Sequence, residues 1–423
     1  MAPKLDLIEA GMPEFFNVLP PEQALQILLD RLPPPGATGV EHVAISEALG
    51  RITSESIYAS QNLPAFPRST VDGFSLRAAD TFGASEGLPA YFNVVGEVPM
   101  GRPPEVSLAV GQAATCFTGG MLADNADAVV MVENTQAIDA DTIEVVRPVA
   151  PGENVIQVGE DVKEGEPLLP AGHLLRPQDL GGLTALGMTG LRVAKRPRVA
   201  ILSMGDEVVS PEVQPAPGQV RDINSYTIAA MVLHSGGIPV RLGIARDEYS
   251  QQLSAARRGL AGADLLVLSA GSSVSVRDLT ADVINQLGPP GVLVHGLSLR
   301  PGKPAVVGLA DSKPAFGLPG NPVSAMIVFE LLVRPVIYSL GGCTKLPEPT
   351  QATACLSQDI ASAPGREEYL PVRLTVEKGE KVARPVFGKS NLIYTLIRAD
   401  GLVQVPLDRA GLYAGENVVV RMF

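Results

Sequence analysis

Four short loops carry the residues in this sequence best suited to chemistry. Met204-Gly205-Asp206-Glu207 follows the apolar run RVAILS, and Gly271-Ser272-Ser273-Val274-Ser275-Val276-Arg277-Asp278 follows DLLVLSA. Arg300-Pro301-Gly302-Lys303-Pro304 follows VLVHGLSL, and Pro319-Gly320-Asn321-Pro322-Val323-Ser324 follows AFGL. Acids, hydroxyls, glycines and two cations in such loops suit a phosphorylated ligand bound with a divalent metal. Gly-rich turns at helix starts offer backbone N–H groups to phosphate. Arg300 and Lys303 would neutralise anionic oxygens. Asp278, Glu207 and Asp222 would hold Mg2+ directly or through water, because that ion takes few protein oxygens and keeps several waters. Each loop also has a plainer reading. The Gly-Asp-Glu turn is an ordinary capping turn, Arg300–Pro304 a rigid loop with solvated charges, and Pro319–Ser324 a helix start capped by Asn321. The sequence has no GxxxxGK[ST] loop and no GxGxxG, which removes support for P-loop and dinucleotide folds.

The elements around these loops alternate. RVAILS, IPVRLGIA, DLLVLSA, VLVHGLSL, AVVGLA and AFGL read as strands. Between and after them, SYTIAAMVLHS, EYSQQLSAARRGL, LTADVINQL and VSAMIVFELLVRPVIYSL read as helices. Asn224 or Ser225 would cap the first helix and Asp247 the second. Alternation of this kind predicts βαβ units and a parallel sheet covered on both faces, with ligands beyond the carboxyl ends of the strands. All four loops then fall on one sheet edge. Upstream, PEQALQILLDRL reads as an amphipathic helix with Leu25, Leu28, Leu29 and Leu32 on one face, ended by Pro33-Pro34-Pro35. Residues 59–146 show short strands and turns, as in YFNVVGEV and ADAVVMVE, and residues 147–180 look extended. The last ~80 residues, with REEYLPVRLTV and LVQVPL, read as a small β-barrel or sandwich.

Composition narrows the classes. At about 100–200 residues per domain, 423 residues imply two to four domains. Hydrophobic residues at 46% against 18% charged exclude global disorder, and 43 glycines and 37 prolines without a three-residue period exclude collagen. The net charge of −12 argues against duplex nucleic acid as a partner while allowing a local anion site. Three scattered cysteines without CxxC, and four scattered histidines without HExxH, argue against a zinc site or a disulfide framework. The N-terminal MAPKLDLIEAGMPEF lacks a signal-peptide pattern, and no apolar stretch approaches the ~20 residues needed to span a bilayer. The expectation is a cytoplasmic protein with no membrane partner.

The residues then resemble a known family, MoeA and the E domain of gephyrin, the molybdopterin molybdenumtransferases or molybdenum insertases. LPAFPRSTVDGFSLRAADT, TGGMLADNADAVVMVENT, GENVIQVGEDVKEGEPLLPAG, RVAILSMGDEVV, RDINSYTIAAMV, LRPGKPAVVG and GLPGNPVSA carry the resemblance, in family order along nearly the full length. It implies a multidomain α/β fold. An N-terminal linker region (1–194) would comprise an elongated part at about 1–58 and 147–194 and an inserted small β domain at about 59–146. A doubly wound, MogA-like molybdopterin-binding domain (195–345) and a C-terminal β-barrel (346–423) would follow. It also implies a magnesium-dependent transferase of molybdenum cofactor biosynthesis. Its substrates would be adenylylated molybdopterin and molybdate, and its products molybdenum cofactor and AMP. A homodimer with a shared active site is implied, with the pathway's adenylyltransferase as a candidate partner. The alternatives within the same resemblance are a molybdopterin adenylyltransferase and a non-catalytic scaffold of the gephyrin type.

By motif, the resemblance assigns catalysis to Asp72, Asp161, Glu207, Asp278 and Lys303. Metal binding falls to Glu207, Asp222 and Asp278. Substrate and anion binding falls to Ser69, Asn224, Gly271, Ser272 and Ser273, to Arg300, Pro301, Gly320, Asn321 and Ser324, and to Arg366 and Ser390. Three departures stand out: Pro67-Arg68 where the family often has Asp-Asn, Ser275 where it has glycine, and Arg300 where it has lysine. The last keeps the charge but changes its geometry.

Overall fold

The fold follows from where each apolar run is buried. The computed structural model describes residues 18–34, 36, 38–269 and 274–423, the last stretch with side chains from 279 onward. The N-terminal 17 residues, Pro35 and the loop readings on Gly271, Ser272 and Ser273 lie outside the described residues, as does the side chain of Asp278. The chain divides into two compact units. One comprises Met1–Glu55, Ala171–Arg176 and Gly190–Phe423, and the other Ser56–Pro170 and Pro177–Thr189.

The first unit is built on a six-stranded sheet. Its order is Ile238–Ala245, Arg198–Met204, Leu265–Ser269, Lys313–Leu318, Val306–Ala310, Pro290–His295. The first four strands are mutually parallel. Alternate residues of Arg198–Met204 face opposite layers, as the period-2 rule requires. Val199 and Ile201 pack with Ile228 and Val232 of helix Asn224–His234 and with the apolar helix that begins at Pro322. Ala200, Leu202 and Met204 pack with Ala256 and Leu260 of helix Tyr249–Ala261, and with Val283 and Ile284 of helix Val274–Leu287. The sheet is therefore wound on both faces. Val306–Ala310 departs from the parallel expectation and runs antiparallel to both neighbours. The cause is local: Ala310 pairs with Lys313 across a two-residue turn in which Asp311 has φ +57°, a hairpin geometry that folds the chain straight back.

Helix Pro21–Leu29 docks on the same core through Ala24 and Leu28, both fully buried, with Leu25, Leu29 and Leu32 partly buried beside them. Pro322–Leu340 is a 19-residue helical run apolar enough to cross a membrane by length and composition, contrary to the sequence expectation. Its most apolar window is 67% buried, because Ile327, Phe329, Leu332, Val336 and Ile337 sit in the core beneath the sheet.

The C-terminal part of this unit is a closed five-stranded barrel. Glu367–Glu377 pairs with Glu380–Pro385, which leads through Gln351–Leu356 and Asn417–Met422 to Gly401–Val405 and back to Glu367–Glu377. Val372, Ala383, Val403, Val405 and Val420 fill it.

The second unit carries its own six-stranded sheet, in the order Ala128–Met131, Gly73–Leu76, Gln112–Cys116, Ala90–Glu97, Thr142–Val145, Thr135–Ala137. Leu76, Phe92, Val130, Ile143 and Val145 form its core. Gly73 allows the closest approach in this sheet: a Cβ there would lie 1.9 Å from the Val130 carbonyl oxygen. That contact fixes the residue directly after Asp72 as glycine.

Candidate active site

The described strands Arg198–Met204, Leu265–Ser269, Pro290–His295 and Lys313–Leu318 all end at one sheet edge. The loop from 300 to 304 is shaped by short backbone bonds. Leu297 N–H donates to the Lys303 carbonyl at 2.8 Å, and Ala305 N–H to the Gly302 carbonyl at 3.2 Å. Gly302 has φ +130°, and a Cβ there would sit 2.8 Å from Leu299 Cδ2 and from Val328 Cγ2. Just before the loop, Leu299–Arg300 adds in parallel to the start of the long barrel strand, Leu299 opposite Glu367 and Arg300 opposite Glu368. This pairing brings barrel residues to the sheet edge.

A cavity of about 1000 Å3 opens where they meet. Arg300, Pro301 and Lys303 line it from the loop, and Gly320, Asn321 and Ser324 from the start of the apolar helix. Arg366 and Ser390 line it from the barrel. Asn321 Nδ2 donates to Ser390 Oγ at 3.0 Å, and Val323 N–H to the Ser390 carbonyl at 3.1 Å, which ties helix start and barrel together. Ser324 is buried on the first helical turn. Arg366 Nε is buried and has no hydrogen-bond partner among the described residues. A buried, unmet N–H at a cavity wall lined by further cations fits an oxyanion ligand.

The same lining contains residues that sequence reasoning missed. Lys389 supplies a fourth cation. Glu368 is almost fully buried and pairs with Arg300, whose Nη1 lies 3.3 Å from its carboxylate. Ser362 Oγ donates to the same carboxylate at 2.6 Å. The neighbouring Tyr369 phenol is pushed above its ordinary range by burial, with the Glu367 charge adding to it, and donates to Glu367 at 3.2 Å. In the sequence Glu367-Glu368 simply opens a strand that also carries Arg373 and Glu377, so nothing there sets Glu368 apart.

Other assigned residues stand outside the cavity lining. Asp222 is buried, accepting from Ser203 Oγ at 2.9 Å and from the Ser225 N–H at 3.1 Å. It therefore caps helix Asn224–His234, a role sequence reasoning gave to Asn224 or Ser225. Asn224 instead spans two loops, donating from Nδ2 to Ser269 Oγ (2.8 Å) and to the Gly320 carbonyl (2.9 Å). Asp247 does not cap the next helix. It accepts from Gln252 Nε2 at 3.3 Å and from the Asp206 N–H at 3.4 Å. Glu207 is half-buried in the loop after Arg198–Met204. Among the described residues, no three His, Cys, Asp or Glu side chains cluster to hold a metal.

Ser69, Asp72 and Asp161 belong to the second unit. Asp72 is exposed, and its Oδ1 accepts from both the N–H and the Oγ1 of Thr118 at 2.8 Å. The backbone bond first, and then the hydroxyl, hold its carboxyl below the usual range. Ser69 is 1% exposed and its hydroxyl donates to the Val71 carbonyl at 2.6 Å, so it shapes the Asp72 loop from within. Asp161 is exposed, its N–H bonded to the Leu63 carbonyl at 3.0 Å. The three cysteines are free, and burial pushes the Cys116 and Cys343 thiols up.

Three family models match consecutive parts of the chain. The MoeA N-terminal region (domain I and II) covers residues 19–187, the probable molybdopterin binding domain 200–339, and the MoeA C-terminal region (domain IV) 353–423. A putative molybdopterin biosynthesis protein of Methanocaldococcus jannaschii is 33% identical over 96% of this chain and 98% of its own length. The molybdopterin molybdenumtransferase of Bacillus subtilis is 31% identical over 90% of this chain and 89% of its own. Two crystal structures of molybdopterin biosynthesis MoeA protein from Pyrococcus horikoshii superpose with TM-scores of 0.77 and 0.83, at 36% and 30% identity, each over 96% of this chain and 99% and 100% of their own.

Proposed function

The chain belongs to the MoeA family, the transferases of molybdenum cofactor biosynthesis, and on that premise we propose that it inserts molybdenum from molybdate into adenylylated molybdopterin with release of AMP. The observation that carries the reading is the cavity in which Arg300 and Lys303 meet Arg366 and Lys389 beside the buried Ser324. Four cations at one cavity, in a protein of net charge −12, form a site for small, highly charged anions.

The chain's own groups divide the work. Molybdate is a tetrahedral dianion. Arg300 meets it with a planar set of donors, Arg366 with an unmet Nε–H and Ser324 with a hydroxyl at a helix start. Lys303 and Lys389 are point charges able to reach a phosphate as well as molybdate. Phosphoryl cleavage asks mostly for positioning and charge stabilisation, which these donors supply without covalent help. Glu207, Asp222 and Asp278 are hard oxygen donors of the kind Mg2+ takes, and each Asp222 oxygen keeps a lone pair beyond its present bond for a bridging water. When bound there, the ion would supply Lewis-acid stabilisation of charge on the phosphate. Asp72, kept ionised by Thr118, and Asp161 act in this reading from a second copy of the chain, in a homodimer. The biosynthetic role named for the relatives supports a cytoplasmic setting for this reaction.

The test is direct. Purified protein given adenylylated molybdopterin, molybdate and Mg2+ should release AMP and yield cofactor that activates a molybdenum enzyme. No AMP above a protein-free control would sink the reading. For the shared site, mixing inactive Asp72→Ala and Asp278→Ala copies should restore about a quarter to a half of the activity, since exchanged dimers carry one intact site. Two pure variants that stay inactive after verified exchange would rule it out.

A further inference from the structure

The oxyanion cavity contains one group that an anion site would be expected to exclude. Glu368 is the one carboxylate among its described lining residues. Its side chain is only 7% exposed, whereas that of Arg300 is 53% exposed. The two stand opposite each other in the parallel pairing of Leu299–Arg300 with Glu367–Glu368. Arg300 Nη1 faces both carboxylate oxygens, at 3.3 and 3.4 Å, and Ser362 Oγ closes on Oε2 at 2.6 Å. Arg300 has further N–H donors on Nη2 and Nε beyond this contact. A buried carboxylate is tolerated only when it is paired and hydrogen-bonded, and here Arg300 and Ser362 do both.

We propose that Glu368 is the positioning residue of the oxyanion site: it anchors Arg300 at the cavity wall, and its negative charge tempers the hold of the four surrounding cations on the bound anion. This rests on the cavity being the molybdate site. Arg300 is shared between Glu368 and the incoming dianion. Its removal then does two kinds of damage. It deletes donors, and it leaves a buried carboxylate unpaired against the ligand. In buried charge pairs much of the loss on truncating one partner comes from that second effect. Deleting the Glu368 charge as well should therefore recover part of what Arg300→Ala loses.

The experiment is calorimetric titration of the full chain with molybdate alone, for the wild type, Arg300→Ala, Glu368→Gln, Glu368→Ala and the double variant Arg300→Ala/Glu368→Gln. Arg300→Ala should weaken molybdate binding by about tenfold, and the double variant should regain about threefold of it. Glu368→Gln keeps an oxygen acceptor facing Arg300 and should bind molybdate about two- to threefold more tightly than wild type. Glu368→Ala removes the anchor and should bind more weakly than Glu368→Gln, a rescue by the conservative variant that a purely electrostatic role would not give. If Glu368→Ala fails to fold, the near-isosteric Gln variants carry the comparison. A double variant no tighter than Arg300→Ala overturns the proposal. Wild-type affinity in Arg300→Ala would instead overturn the assignment of the cavity to molybdate.

Discussion

At the scale of single residues, backbone shape governs the anion loop as much as charge does. Gly302 combines a left-handed φ with two side chains at 2.8 Å from a would-be Cβ. Gly302→Ala should lower stability by about 1–3 kcal/mol, read from the denaturant midpoint, and weaken molybdate binding because Arg300 and Lys303 flank it. Asp72 is governed by hydrogen bonds. With Thr118→Val the hydroxyl bond is lost and the backbone bond remains, so the carboxyl should titrate closer to the ordinary aspartate value in an NMR pH series. A depressed carboxyl contributes stability above its unfolded pKa and loses it as pH falls through the folded one, so the variant loses that contribution at a higher pH. Motif residues of this kind stood out in the sequence because several such loops follow predicted strands that end at one sheet edge, although each loop alone has a plainer reading. Glu368 did not stand out. A glutamate in a strand reads as solvent-facing, and only its pairing with Arg300, 68 positions away, explains its burial.

At the scale of elements, the strands and helices of the doubly wound sheet were readable from periodicity, and their errors have causes. Val306–Ala310 runs backwards because a two-residue turn leaves no room for a crossover. VSAMIVFELLVRPVIYSL reads as a single helix. Pro335 supplies no N–H to the preceding turn, and the helix widens there into a π turn over Phe329–Val333. Glu330 sits in this turn and joins Arg334 to Arg421 of the last barrel strand, the latter at 3.2 Å. The triad links sheet domain to barrel, both halves of the cavity. Glu330→Gln leaves two arginines without their carboxylate and should cost about 1–3 kcal/mol, seen as a lower urea midpoint. A change within ~0.5 kcal/mol would show the triad to be solvated.

At the scale of the whole molecule, a net charge of −12 surrounds a cavity with four lining cations. The field that draws an anion inward is local, and the rest of the surface opposes it. Salt screens both, over about 8 Å at physiological ionic strength. Bringing NaCl from about 50 to 500 mM should raise the half-saturating molybdate concentration severalfold, with the adenylylated pterin saturating. A flat response would mean that neutral donors, not charge, hold the anion. The pairing of Leu299–Arg300 onto the barrel has a further consequence, in the order of synthesis. Domains fold in sequence as the chain leaves the ribosome. The sheet with Arg300, Lys303 and Ser324 emerges first, while Ser362, Arg366, Glu368 and Lys389 have not yet left the ribosome. An unfinished chain therefore presents half a pocket with no anchor for its arginine. Under the proposed function, nascent chains arrested before Ser362 should retain no molybdate in a pull-down, which would commit the metal only to finished protein.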